Sequence, residues 1–196
     1  MPSSVLYMSM SLDGFITGPD DNADQGLGAG GERLHEWLGE PGGGNPPGFH
    51  PEGQSAVVFD EMLATGAVVV GRRTFDLAGH WNGDHHDGVP IFVPTRGEPP
   101  EPASELVHYV TDGVVGAMRQ AKEAAGDANV MVHGADLAQS CLRAGILDEL
   151  EIHLVPVLLG EGRRLFEHLG DDHIELELTR VLDAPGVTHL RYRVAS

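Results

Sequence analysis

Apolar residues along this chain gather in short runs, each stopped by a polar or Gly-rich break. The runs at 5–10, 67–70, 90–93, 106–110, 129–132 and 149–157 have the length and composition of buried strands. Between them the period lengthens. Val114, Met118, Ala121 and Ala125 recur at helical spacing, so 113–125 should be an amphipathic helix. Further helices are expected at 31–38, with Leu34, Trp37 and Leu38 on one face, and at 55–64, capped by Ser55. Another should open near Thr74, and one at 135–144 should stop at Gly145.

The C-terminal pattern is different. Ile174, Leu176 and Leu178 alternate with Glu175, Glu177 and Thr179, and Leu190, Tyr192 and Val194 alternate with Arg191 and Arg193. With Asp183-Ala-Pro-Gly186 between them, these read as an antiparallel hairpin with one face in the core and charges pairing across the other. Alternating β and α elements followed by a hairpin imply a three-layer α/β/α fold, a mostly parallel sheet with an antiparallel edge. The segment 39–54 holds four prolines and many glycines, and reads as a surface insertion in a single domain spanning 1–196.

Charge narrows the function. The formal net charge of −18 argues against nucleic acid and against an anionic membrane surface. Lys122 is the only lysine, so arginines do nearly all the cationic work. Cys141, the only cysteine, permits neither an internal disulfide nor a cysteine-based zinc site, and its helical setting suits a buried structural thiol. The N-terminal residues lack a signal peptide's basic segment and apolar core, so a reducing cytoplasm is the expectation.

Against that acidic background three strand ends stand out: Gly71-Arg-Arg-Thr74, Thr95-Arg96 and His133-Gly-Ala-Asp136. In an open α/β sheet, ligands bind beyond the carboxyl ends of strands, where helix N-termini converge. Arg72, Arg73 and Arg96 would put positive charge there, suiting a phosphorylated dinucleotide, and an arginine beside the adenosine favours NADP over NAD. No Gly-x-Gly-x-x-Gly fingerprint follows any of the strand runs, so an ordinary Rossmann domain is not expected, and no Walker A sequence is present. The stretch His80-Trp-Asn-Gly-Asp-His-His-Asp87 could be read as a metal site, but adjacent histidines on a loop seldom face one centre, so a solvated loop is expected and no metal is assigned.

Four motifs occur in a telling order: Ser11-Leu-Asp-Gly-Phe-Ile16, Gly71-Arg-Arg-Thr-Phe75, the Gly134 turn with its helix, and Leu147-Asp-Glu-Leu150 through Pro156-Val-Leu-Leu-Gly-Glu-Gly162. In this the chain resembles the dihydrofolate-reductase-like family that includes the C-terminal reductase domain of the bifunctional riboflavin-biosynthesis deaminase–reductase, as a stand-alone member. The resemblance implies NADPH as hydride donor to a small heterocycle, as in 5-amino-6-(5-phosphoribosylamino)uracil reduction. It implies that Gly71, Arg72, Arg73 and Thr74 hold the phosphates and adenosine side, that Thr95 and Arg96 flank the 2′-phosphate, and that Gly134, Ala135, Asp136 and Leu137 bring a helix N-terminus to the pyrophosphate. Ser9 and Ile16 would lie near the nicotinamide. His133 stands where the family usually has a second glycine. Dihydrofolate reductases carry an acid in the first helix; here Leu34 falls at that place, so folate reduction is not favoured. Asp13, Glu36 and His35 are the candidates for proton supply or substrate contact. A nitro- or quinone-type reductase, a nucleotide-binding module without catalysis and a metal-dependent hydrolase are the alternatives, and the terminal hairpin suggests a homodimer built on an exposed edge or apolar face.

Overall fold

The computed structural model describes residues 2–39, 48–171 and 173–195. Its strands are β1 (Ser4–Ser11), β2 (Phe15–Thr17), β3 (Ala67–Val70), β4 (Ile91–Pro94), β5 (Val107–Val110), β6 (Val130–His133), β7 (Glu149–Val155), β8 (Arg163–Arg164), β9 (Leu176–Ala184) and β10 (Val187–Val194). Its helices are α1 (Gly53–Leu63), α2 (Arg72–Leu77), α3 (Gly113–Ala125) and α4 (Ala135–Arg143), with 3-10 segments at Gly31–Leu38 and Gly79–Gly83. Eight strands form one sheet in the order β5-β4-β3-β6-β1-β7-β10-β9. Neighbours are parallel from β5 through β7, and the last two pairs are antiparallel. β2 and β8 pair separately.

The unbroken apolar runs are explained by burial on both faces: all four residues of β3 are fully buried. One face packs α3 and α4 through Ala117, Met118, Ala121, Ala138 and Cys141 onto Leu6, Val69 and Val132. The other packs Phe75 of α2 and Met62 of α1 against Tyr7, Val68 and Met131. Cys141 is enclosed, and burial pushes its thiol up to about 12. β3, β4 and β5 step outward to one edge before β6 returns between β3 and β1. That reversal sets the ends of β3 and β6 side by side, with Gly71 N–H donating to His133 O at 3.1 Å.

Several expectations shift. α1 begins at Gly53, two residues early, and Ser55 does not cap it; the buried Ser55 Oγ instead lies 3.0 Å from His189 Nε2. α2 begins at Arg72 with Gly71 in the capping position, so Thr74 falls inside the first turn. The histidine stretch is not a solvated loop. His80, Trp81 and Asn82 make a left-handed turn (φ 57°, 47° and 51°) that turns the chain so that His86 is buried. Of the Gly/Pro-rich insertion, 40–47 lies outside the described residues, and its end is already the first turn of α1.

The terminal hairpin forms, its strands reaching Ala184 and resuming at Val187; as alternation predicts, Tyr192 and Val194 pack on the core and Arg193 pairs with Glu177 across the strands, but the two faces are not used as simply as core and solvent. The charged face lies under α1: Glu151 is fully buried, Arg180 bonds Glu61 at 2.6 Å and Glu151 at 3.0 Å, and Arg191 pairs with Glu149. The apolar face of the outer strand is the open one, with Leu176 42%, Leu178 53% and Val181 52% exposed.

Candidate active site

Two turns meet at the carboxyl ends of β3 and β6. Neither α2 nor α4 has a side-chain cap, so the first N–H groups of each helix remain available to a ligand. Gly134 has φ +96°, and a Cβ there would come within 2.5 Å of Thr74 Oγ1; only glycine lets the turns close together. Gly71, Arg73, Thr74, Ala135, Asp136 and Arg163 line the small cleft between them. Arg73 pairs with Asp21 at 2.8 Å and Arg163 with Asp136 at 3.1 Å, placing two guanidinium groups beside the free N–H groups. Such a cleft matches the phosphates of a dinucleotide, which want positive charge and backbone donors.

His133 does not disturb this arrangement. It is an ordinary strand residue paired with Val70, and its ring lines the neighbouring cavity, so Gly134 alone supplies the left-handed backbone. The other residues singled out near this end are placed unequally. Leu137 and Ala135 are buried and can offer only backbone N–H. Arg72 is held by both oxygens of Asp76 at 2.9 Å and lies 5.4 Å over the Tyr109 ring, outside the cleft. Thr95 is buried with its hydroxyl donating to Val93 O at 3.0 Å, whereas Arg96 is exposed just beyond β4.

The cleft opens, past Arg73, Thr74 and Arg163, into a cavity of about 950 Å³. Ser9 and Ile16 line it from β1 and β2. Ser9 Oγ accepts from Trp37 Nε1 at 2.9 Å, which fixes the indole against the wall. The 3-10 segment Gly31–Leu38 turns Leu34 into the protein and leaves His35, Trp37 and Leu38 on the cavity. α1 contributes Phe59, Met62 and Leu63.

Histidines dominate the polar part of the wall. His86 Nε2 lies 3.3 Å from Thr65 O, and since a carbonyl only accepts, that nitrogen carries the proton. His86 Nδ1 then accepts from His85 Nδ1 at 2.7 Å, and His85 keeps a lone pair on Nε2. His85 packs tilted, 5.2 Å from the His133 ring, and edge-on, 4.4 Å from the Trp81 ring. On the opposite side His153 shares an Nδ1···Nδ1 hydrogen bond of 2.9 Å with His189, which continues to Ser55. His35 Nδ1 is buried with no hydrogen-bond partner. Burial lowers His35, His133 and His189 to about 4 and takes His85 and His153 well below the ordinary range. These rings are neutral at pH 7, each with one donor and one acceptor nitrogen.

The two carboxylates proposed for proton supply are not brought to the cavity. Asp13 accepts from Ser11 Oγ (2.6 Å), Leu159 N–H (3.1 Å) and Gly160 N–H (2.7 Å), tying the β1–β2 turn to the loop before β8. The Ser11 hydroxyl leads the bonds that lower its pKa to about 2. Glu36 points to solvent and pairs with Arg33 at 2.9 Å. Sequence reasoning passed over His153 and His189, which sit within strands and carry no motif. It also passed over Arg163, although that residue follows directly on the Gly160-Glu-Gly162 turn. Among the described residues, no group of three or more His, Cys, Asp or Glu side chains is arranged to hold a metal.

The fold is dihydrofolate-reductase-like. The Enterococcus faecalis dihydrofolate reductase, solved with NADP(H), superposes with a TM-score of 0.57 at 14% identity, over 100% of this chain and 97% of that one. A Shewanella protein provisionally assigned to riboflavin biosynthesis gives 0.71 at 22% identity over 99% of both chains. The Thermotoga maritima diaminohydroxyphosphoribosylaminopyrimidine deaminase/5-amino-6-(5-phosphoribosylamino)uracil reductase gives 0.63 at 14% identity, over 99% of this chain and 57% of that one. Residues 2–190 match the RibD C-terminal domain family, and the chain belongs to it. In sequence it is 24% identical over 180 residues to the uncharacterized protein YwjB of Bacillus subtilis, covering 86% of this chain and 85% of that one.

Proposed function

We propose that this protein is an NADPH-dependent oxidoreductase, working in the cytoplasm as a homodimer, that passes hydride to a small conjugated heterocycle of pterin or pyrimidine type. The observation that carries the reading is the continuity of two spaces: a glycine-and-arginine cleft suited to phosphates opens directly into a cavity large enough for a heterocycle. The first N–H groups of α4, with Arg73 and Arg163, would hold the pyrophosphate, the guanidinium groups exchanging Asp21 and Asp136 for phosphate oxygens. Ser9 and Ile16 would flank the nicotinamide, and Arg96 would meet the adenosine 2′-phosphate.

NADPH supplies the hydride; the chain must orient the two reactants, exclude water and deliver a proton to the reduced heterocycle. With Asp13 and Glu36 away from the cavity, the groups in position for that proton are His35, His133 and His153, or a water held among them. The exposed apolar residues Leu176, Leu178 and Val181 support a second copy covering the outer strand. No described helix is long and apolar enough to cross a membrane.

Titrating NADPH while following nicotinamide fluorescence tests the cofactor; a flat response at millimolar NADPH removes the reading. Arg163→Ala should weaken NADPH at least tenfold. Arg96→Ala should weaken NADPH more than NADH, and equal losses would remove its 2′-phosphate role. Light scattering should give twice the chain mass at micromolar concentration, with Leu178→Glu giving a monomer; a monomeric parent protein ends the dimer proposal.

A further inference from the structure

The charges around the cavity are distributed unevenly, and the unevenness bears on the substrate. Apart from histidines, the charged residues lining it are Arg73 and Arg163 against Asp21, Asp60 and Asp87. Both arginines belong equally to the small cleft, where each already faces a carboxylate. Away from that cleft the described wall has no lysine or arginine. Arg180 and Arg191 lie behind it, held by Glu61, Glu149 and Glu151. A phosphate pushed into this space would lose water and gain no lysine or arginine, while meeting carboxylates in a chain of net charge −18.

What the wall does offer is aromatic and apolar surface. Trp37 and Trp81 face it from the 3-10 segments, and Phe59, Met62 and Leu63 from α1. Its polar groups include the neutral rings of His35, His133 and His153 and the hydroxyls of Tyr7, Ser9 and Thr17, among them the unpartnered buried Nδ1 of His35, and these donate or accept single hydrogen bonds. Flat π-surface with single donors and acceptors around it recognises a planar heterocycle by its faces and edges.

We propose that the cavity takes a neutral, planar heteroaromatic substrate carrying no phosphate, and so excludes the phosphoribosyl-bearing uracil that the Thermotoga maritima relative's name specifies. This inference rests on the reading of the cleft as the NADPH site. The consequence is a division of labour in which all phosphate recognition belongs to the cofactor end.

Riboflavin and its 5′-phosphate, FMN, test it, because they share one ring system and one side chain and differ by a phosphate. Each is titrated into the full-length protein saturated with NADP⁺, following flavin fluorescence, at low salt and at 0.5 M NaCl. Riboflavin should bind at least tenfold more tightly than FMN, and the preference should persist at 0.5 M NaCl, where the long-range field of the acidic chain is screened. Equal binding, tighter FMN, a preference that vanishes in salt, or no binding of either flavin would each overturn the proposal. Phe59→Arg, which adds a cation to a half-buried wall position without touching the sheet, should narrow the preference at least fivefold; an unchanged ratio in a folded variant also counts against it. NADP⁺ binding is measured separately. Its absence would bring down the oxidoreductase reading, whereas normal NADP⁺ binding with indifferent flavin binding would bring down only this inference.

Discussion

Acid should loosen this protein well before its carboxylates titrate. His35, His133 and His189 fall to about 4 because burial disfavours their charged form, against an ordinary value of 6.5 in the unfolded chain. As pH drops below 6.5 the unfolded chain takes up protons that the folded chain refuses, so stability is complete above 6.5 and is lost progressively toward pH 4. At pH 5.5 each such ring costs about 1.3 kcal/mol, or about 4 kcal/mol for the three. Allowing for solvent that reaches the cavity side of His35 and His133 reduces this to about 3 kcal/mol. That is a large share of a total of about 5–15 kcal/mol. Two effects oppose it: protonation relieves the self-repulsion of the −18 chain, and burial raises Glu151, which then takes up protons more readily folded than unfolded. Urea unfolding at pH 7.5, 6.5 and 5.5, followed by tryptophan fluorescence, should show the loss. His189→Asn should reduce the drop between pH 7.5 and 5.5 by about 1 kcal/mol, whatever its effect at pH 7.5. Equal stability at pH 7.5 and 5.5, or an unchanged drop in His189→Asn, would refute the reasoning.

Other perturbations separate the parts of the site. Gly134→Ala forces a side chain into a positive-φ turn and against Thr74, and should cost about 2 kcal/mol in thermal unfolding together with at least tenfold in NADPH affinity. Unchanged NADPH affinity would detach the cleft from the cofactor. Arg180→Ala leaves the fully buried Glu151 with only Arg191, at 3.7 Å, and should cost about 3 kcal/mol; a loss under about 1 kcal/mol would mean Glu151 is already protonated. Trp37→Phe removes the donor to Ser9 Oγ and should cost about 1 kcal/mol, read by urea unfolding at pH 7.5.

Much of the sheet was legible in the chain because local signals and tertiary demands agree there. Apolar runs such as Ala67–Val70 are strands since both their faces are covered, and 113–125 is a helix in structure as in pattern. The expectations that moved lie where a distant partner outweighs a local preference. Ser55 could have capped α1, but His189, brought next to it by the register of β10, takes its hydroxyl. Asp13 could have supplied a proton, yet three donors, two of them from residues 159 and 160, hold its carboxylate. Glu36 and His35 are adjacent in sequence, but the 3-10 segment sends one to solvent and the other to the cavity.

The sequence by itself determined the alternation of strands and helices, the Gly-Arg turns at the strand ends and the acidic charge that makes those arginines informative. Local period and backbone preference are sufficient for such features, because they act between residues close in the chain. Tertiary structure alone decided the histidine wall. His35, His85, His133 and His153 come from a 3-10 segment, the loop after a left-handed turn and two strands, and they converge only because β6 returns between β3 and β1. It also decided that the charged face of the hairpin is covered, since α1 lies over it through Glu61 and Ser55, while the apolar residues of β9 stay open. Side chains gathered from across the chain leave no local period, so nothing in the linear pattern could have announced them.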